Sequence, residues 1–118
     1  MEPIDFMSMR RMVMAEDQLL ASQRQAEAQA RARAVAKWLK EKYGVDEVYL
    51  FGSLAWGGFN SHSDIDMLIR GFKDKEHYWQ MQVQAENIAG PFELNLLCEE
   101  EAPESLRRKV AEKGVKLA

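Results

Sequence analysis

The most constraining feature of the sequence is a Gly-Ser pair followed, ten residues later, by two aspartates one residue apart. Gly52-Ser53 comes directly after an apolar segment, and Asp64-Ile65-Asp66 follows the intervening residues 54–63. In a β-strand, side chains at positions i and i+2 point to the same face. Asp64 and Asp66 are therefore expected to lie side by side, where two like charges repel each other unless a cation lies between them.

This arrangement predicts a site for a divalent cation and a phosphate group. Mg²⁺ is commonly held by one or two carboxylates together with substrate phosphates. Gly52 lets the backbone approach a ligand closely, and Ser53 at the start of a short helix offers a hydroxyl and N–H groups to an anion. Such parts belong to phosphoryl or nucleotidyl transfer sites, in which metal ions stabilise the attacking and leaving oxygens.

The composition changes at residue 44, which divides one expected domain (1–118) into an N-terminal helical region (1–43) and a core (44–118). Residues 5–43 contain no Pro or Gly and are rich in strong helix formers, with an apolar stripe at Ala28, Ala32, Val35, Leu39 and Tyr43. Because a helix of nearly forty residues is unusual in so small a domain, we expect a bend or break around residues 14–24. The methionine cluster of residues 7–14 is a candidate surface for self-association or partner binding.

The core has the pattern of an α/β fold in the α+β sense. Strands are predicted over residues 47–51, 64–70 and 92–97, with helices over 75–89 and from Pro103 to Gly114. The tail 115–118 is a candidate edge strand. We therefore expect a small mixed sheet of three to four strands with helices packed on one side.

The bulk composition narrows the class of function. With 16 basic and 19 acidic side chains the formal net charge is −3, which argues against extended binding to a nucleic-acid backbone. No apolar run is long enough to span a membrane. The single cysteine, Cys98, cannot form an internal disulfide, so a reducing cytoplasm is the expected compartment. Arg24, Arg31 and Arg33 are expected to lie on a solvated helix face.

The motif Gly52-Ser53, ten residues, Asp64-x-Asp66 resembles the signature of the DNA polymerase β-like nucleotidyltransferases. The surrounding segments 50–57 and 63–69 resemble their small stand-alone branch, the minimal nucleotidyltransferases, and the likeness runs from about Val48 to Gly114. It implies that Asp64 and Asp66 coordinate Mg²⁺, and that Gly52 and Ser53 contact the β- and γ-phosphates of a nucleoside triphosphate, with ATP the expected donor. It also implies a protein partner, a HEPN-type toxin that the nucleotidyltransferase neutralises by adenylylation.

The family pattern includes a third carboxylate, normally Asp, on the following strand. There it binds metal or takes the proton from the attacking hydroxyl. This chain offers Glu93 and Asn95, which share one strand face. Spacing to the last helix fits Asn95 slightly better, whereas chemistry favours Glu93 because an amide cannot act as a base. Glu93 is therefore the predicted third catalytic and metal-binding residue, and Asn95 the alternative.

Two classes of function follow from these residues. The first is a Mg²⁺-dependent enzyme that transfers AMP from ATP to a hydroxyl on a protein partner. The second is a non-catalytic module that binds nucleotide or a partner and neutralises the partner by contact. Among the loop residues, His62 is expected to be exposed or to contact phosphate, while Trp56 and Phe59 either stack on a base or cover the loop.

Overall fold

The computed structural model describes the backbone of residues 6–60 and 62–118, and the side chains of residues 19–60 and 62–118. The methionine side chains of residues 7–14 therefore lie outside the described part of the chain. Helices and strands alternate in the order α1 (Phe6–Tyr43), β1 (Glu47–Phe51), α2 (Ser53–Trp56), β2 (Ile65–Arg70), α3 (Tyr78–Ala89), β3 (Leu94–Cys98), α4 (Glu104–Lys113) and β4 (Val115–Lys116). Short 3₁₀ turns at Lys75–His77 and Glu99–Glu101 precede α3 and α4.

Helix α1 is one continuous helix of 38 residues, so the predicted interruption around residues 14–24 does not occur. Extending an existing helix is much easier than starting one, and the segment contains no Pro or Gly to stop it. At 1.5 Å per residue it is about 57 Å long. The predicted stripe anchors its C-terminal half, where Ala28, Ala32 and Leu39 are fully buried, whereas Leu19 and Leu20 are 59% and 62% exposed. Gly44, with a φ of 62°, ends the helix at the boundary predicted from the change in composition.

The four strands form one mixed sheet in the order β3-β2-β1-β4. Strand β1 runs antiparallel to both β2 and β4, and β2 runs parallel to β3. The register places Phe51 of β1 opposite Asp66 of β2, and Asp66 beside Asn95 of β3. The end of β1 and the starts of β2 and β3 therefore meet at one end of the sheet, which confirms the predicted mixed sheet.

Helices pack on both faces of the sheet rather than on one side only. The larger core joins α1 and α3 to one face, which includes Ile65, Met67 and Ile69. On the other face Leu68 packs with Val110 of α4 and Ala102. The helix from Pro103 to Gly114 was predicted, but its packing on the second face was not, because Leu68 lies between polar neighbours and this face of β2 has little apolar pattern to indicate a covering helix.

Helix α4 covers only part of its face. It contacts the sheet around Leu68, and the end of the sheet that carries Asp64 and Asp66 lies beyond it, where Asn95 is exposed. Cys98 is a buried free thiol at the end of β3. Within the described part of the chain, no helix combines the length and apolarity needed to cross a membrane.

Candidate functional site

The two aspartates of the motif lie side by side at the start of β2. The side-chain amide of Asn95 donates to both, with Nδ2 lying 3.2 Å from Asp64 Oδ2 and 3.0 Å from Asp66 Oδ1. Both carboxylates are partly exposed, so they are open to a ligand from solution. The alternation of side chains along β2 places them on the face shared with Leu68, as the sequence predicted.

The electrostatics of this pair favour a bound cation. Burial raises the pKa of Asp66 above its ordinary value, the hydrogen bond from Asn95 opposes the rise, and the negative charge of Asp64 adds to it. Burial and a neighbouring like charge both disfavour the ionised carboxylate. A divalent cation between the two side chains would reverse both effects, because it replaces lost hydration and offsets the repulsion.

Gly52 packs directly against the carboxylate of Asp66. Its φ of 75° lies in the left-handed region, and a Cβ atom at this position would collide with Asp66 Oδ2. The carbonyl of Gly52 accepts hydrogen bonds from the N–H groups of Ala55 and Trp56 at 3.1 Å and 2.9 Å, which form the short helix α2 behind Ser53. Glycine therefore allows both the backbone conformation of the turn and the close contact with Asp66.

Asn95, and not Glu93, occupies the position beside Asp66. Glu93 precedes β3, and its carbonyl accepts a hydrogen bond from the N–H of Ile65 at 2.9 Å, which places it level with Asp64. Among the residues whose side chains are described, no three His, Cys, Asp or Glu side chains gather as a metal site. The structure thus brings two of the three predicted metal-binding carboxylates together and leaves Glu93 outside that cluster.

Glu93 does line a cavity that opens beside Asp64. The cavity has a volume of about 450 Å³. Its walls come from α1, from the loop before β2 and from the segment before β3: Arg24, Asn60, His62, Ser63, Asp64, Pro91, Phe92 and Glu93. The arginine was expected on a solvated helix face. Nothing in the local sequence indicates that a residue forty positions before Asp64 reaches this cavity.

Trp56 connects α2 to α4. Its indole Nε1 donates to the carbonyl of Lys113 at 2.8 Å, and its ring lies 6.3 Å from the ring of Phe51. The ammonium group of Lys109 lies 4.6 Å from the centroid of the same ring, a cation–π contact. Sequence reasoning missed Lys109 because only the fold brings α4 next to the loop after β1.

Comparison with known proteins agrees with this geometry. A family model described as Polymerase beta, Nucleotidyltransferase matches residues 33–118. No curated protein matches the chain. A solved structure of a protein assigned as a minimal nucleotidyltransferase is 26% identical, covers 74% of this chain and 89% of its own, and has a TM-score of 0.60.

Two further solved structures share the fold at lower identity. The toxin–antitoxin complex MntA–HepT is 22% identical, covers 76% of this chain and 71% of its own, and has a TM-score of 0.56. A toxin–antitoxin structure with AMP-PNP is 22% identical, covers 73% of this chain and 72% of its own, and has a TM-score of 0.60. The predicted nucleotidyltransferase fold is thereby confirmed.

Proposed function

The chain belongs to the polymerase β nucleotidyltransferase family, and on that premise we propose that it transfers AMP from ATP to a hydroxyl group on a protein partner. The observation that carries this proposal is the pair Asp64 and Asp66, held by one amide and packed against Gly52. Two partly exposed carboxylates beside a glycine turn are the parts of a site for a cation and a phosphate chain.

The donor set fits Mg²⁺. Asp64 and Asp66 supply the carboxylate oxygens that this ion prefers, and substrate phosphates complete its coordination in sites of this kind. When bound, Mg²⁺ neutralises charge on the phosphates and on the leaving pyrophosphate. We assign Gly52 and Ser53 to the β- and γ-phosphates, since Gly52 packs against Asp66 and Ser53 begins α2 directly after it, where helix N–H groups and a hydroxyl suit an anion.

Glu93 is the proposed general base. An asparagine side chain cannot accept a proton at neutral pH, so Asn95 cannot take this role even though it lies beside Asp66. The carboxylate of Glu93 lines the cavity next to Asp64, where an attacking hydroxyl has access. The hydroxyl oxygen forms a bond to the α-phosphorus, the bond to the α,β-bridging oxygen breaks, pyrophosphate leaves, and the hydroxyl proton passes to Glu93.

A protein partner is the proposed acceptor, with residues 44–118 as the catalytic core and residues 1–43 as an N-terminal helical region. Two structures that share the fold are toxin–antitoxin assemblies, one of them MntA–HepT. We infer an equivalent role here, in which a HEPN-type toxin receives AMP and the chain acts as antitoxin. The free thiol of Cys98 suits a reducing cytoplasm.

The direct test is transfer of label from α-³²P-ATP, with Mg²⁺, to the product of the neighbouring gene. We expect labelling by the wild type and a loss of at least 100-fold in Asp64→Asn and Asp66→Asn. Asp74→Asn is the matched control, because Asp74 is exposed and bonds only locally to His77. Equal labelling by Asp66→Asn and Asp74→Asn would contradict the proposed role of the aspartate pair.

The alternative is a module that neutralises its partner by contact. The position of Asn95 favours it, since the family's third carboxylate is absent at the place where the structure aligns β3 with Asp66. This function predicts stable partner binding with no transfer from any of the four ribonucleoside triphosphates. It also predicts that Asp66→Asn neutralises the partner as well as the wild type does.

A further inference from the structure

The wall of the cavity that residues 91–93 form lies on the opposite side of the aspartates from the Gly52 turn. Across the sheet the order is β1, then β2, then β3, so Gly52, the two aspartates and Glu93 follow one another in that direction. Adjacent strands lie about 4.8 Å apart, so this row spans about 10 Å. Phe92 and Glu93 form the cavity wall at its far end.

The order of these residues indicates the side from which the acceptor approaches, and this inference rests on the proposed function. In phosphoryl transfer the attacking and leaving oxygens are roughly in line through the phosphorus. If the leaving pyrophosphate lies at Gly52 and the α-phosphate at the aspartates, the attacking hydroxyl must approach from the side of β3. That approach leads through the cavity.

We propose that this cavity is the acceptor subsite, and that Arg24 of α1 selects a protein hydroxyl flanked by an acidic group. A volume of about 450 Å³ exceeds what one side chain needs and lies within the range of ligand-binding cavities, so a short segment of the acceptor enters it. Arg24 belongs to the N-terminal helix and lies outside residues 33–118, which match the family model.

The charges around the cavity orient the acceptor. Asp64 and Glu93 both line it, next to the aspartate pair at which a cation and the attacking hydroxyl are needed. Arg24 is the guanidinium among the lining residues, and this group binds carboxylates through paired hydrogen bonds. In the proposed arrangement the hydroxyl lies at Glu93, the acidic group pairs with Arg24, and Phe92 packs against the body of the acceptor side chain.

A charge exchange tests the assignment by binding alone. The probes are capped tripeptides Glu-Tyr-Glu and Lys-Tyr-Lys, titrated into ¹⁵N-labelled protein with Mg²⁺ and α,β-methylene-ATP, whose α–β linkage is not cleaved. In the wild type, Glu-Tyr-Glu should shift the amide signals of residues 91–93 and bind at least tenfold more tightly than Lys-Tyr-Lys. In Arg24→Glu this preference should reverse.

Arg33→Glu is the matched control, since it makes the same charge change on an exposed position of the same helix, away from the cavity. It should keep the wild-type preference, and all three proteins should bind the nucleotide analogue within twofold of one another. Equal binding of the two peptides, or no peptide shifts at residues 91–93, would overturn the inference. So would a loss of nucleotide affinity in Arg24→Glu alone, which would assign the cavity to the nucleoside.

The proposed function fails by a different result. Titration of the wild type with α,β-methylene-ATP, before any peptide is added, reports Mg²⁺-dependent binding at residues 52–53. Absence of that binding refutes the nucleotide site, whereas the peptide titration still reports the preference set by Arg24.

Discussion

Replacing Gly52 by alanine is the sharpest perturbation of the proposed nucleotide site. The backbone of Gly52 has φ 75° and ψ −156°, a conformation that is essentially restricted to glycine and costs another residue about 1–3 kcal/mol. The new Cβ atom would also collide with Asp66 Oδ2, so the carboxylate must rotate away. That rotation breaks its 3.0 Å hydrogen bond from Asn95, a loss of about 0.5–1.5 kcal/mol at this partly exposed position.

The two effects together predict a loss of about 1.5–4.5 kcal/mol in the free energy of unfolding. At about 4 °C per kcal/mol for a chain of this size, the melting temperature should fall by about 6–18 °C. The displaced carboxylate should weaken Mg²⁺-dependent nucleotide binding at least tenfold, because Asp66 no longer faces Asp64. Isothermal titration calorimetry with Mg²⁺ and α,β-methylene-ATP measures the affinity, and circular dichroism measures the melting temperature.

Gly44→Ala separates backbone strain from the collision. Gly44 also has a positive φ, 62°, but no atom lies within 4 Å of a Cβ built there. This variant should lose about 1–2 kcal/mol from the left-handed backbone alone and keep its nucleotide affinity. If Gly52→Ala binds the nucleotide as tightly as Gly44→Ala does, the close packing of Gly52 on Asp66 has no functional role, and the reasoning is refuted.

Three further experiments test other parts of the structure. Asn95→Asp places a third negative charge beside the two aspartates, so it should lower the melting temperature measured without Mg²⁺. It should also raise the Mg²⁺ affinity measured by calorimetry at least tenfold, and unchanged affinity would exclude position 95 from the metal site. Trp56→Phe removes the hydrogen bond to Lys113 and should cost about 0.5–1.5 kcal/mol in thermal unfolding, whereas no loss would mean that the indole does not fix α2 to α4. Cys98 is buried and burial raises the pKa of its thiol, so Ellman's reagent at pH 8 should react slowly with the native protein and quickly in guanidinium; rapid native reaction would contradict the buried position.

The sequence predicted those parts of the fold that local patterns determine. Strand β1, the start of the last helix and the glycine that ends α1 each follow from residues within one turn or one strand of themselves. The adjacency of Asp64 and Asp66 follows from strand alternation. The predicted break in α1 was wrong, because the prediction gave typical helix length more weight than the absence of Pro and Gly from the segment.

Long-range packing determined what the sequence could not predict. Alternation places Glu93 and Asn95 on one face, but only the parallel register of β2 and β3 puts Asn95 beside Asp66. The covering of the second face by α4 depends on contacts around Leu68, and the position of Arg24 depends on how far α1 extends past the sheet. None of these contacts can be predicted from the sequence pattern around the residues that make them.

Asn95 stabilises the aspartate pair when no metal is bound and opposes metal binding by the same pair. Its NH₂ group donates to both aspartates and so stabilises two like charges when no cation is present. To be held at the proposed site, Mg²⁺ would have to displace these hydrogen bonds, or the amide would have to rotate and offer its oxygen. A carboxylate at this position would repel the aspartates without metal and bind the ion more strongly with it. We therefore expect this chain to take up Mg²⁺ chiefly together with the nucleotide, whose phosphates supply the negative charge that Asn95 lacks.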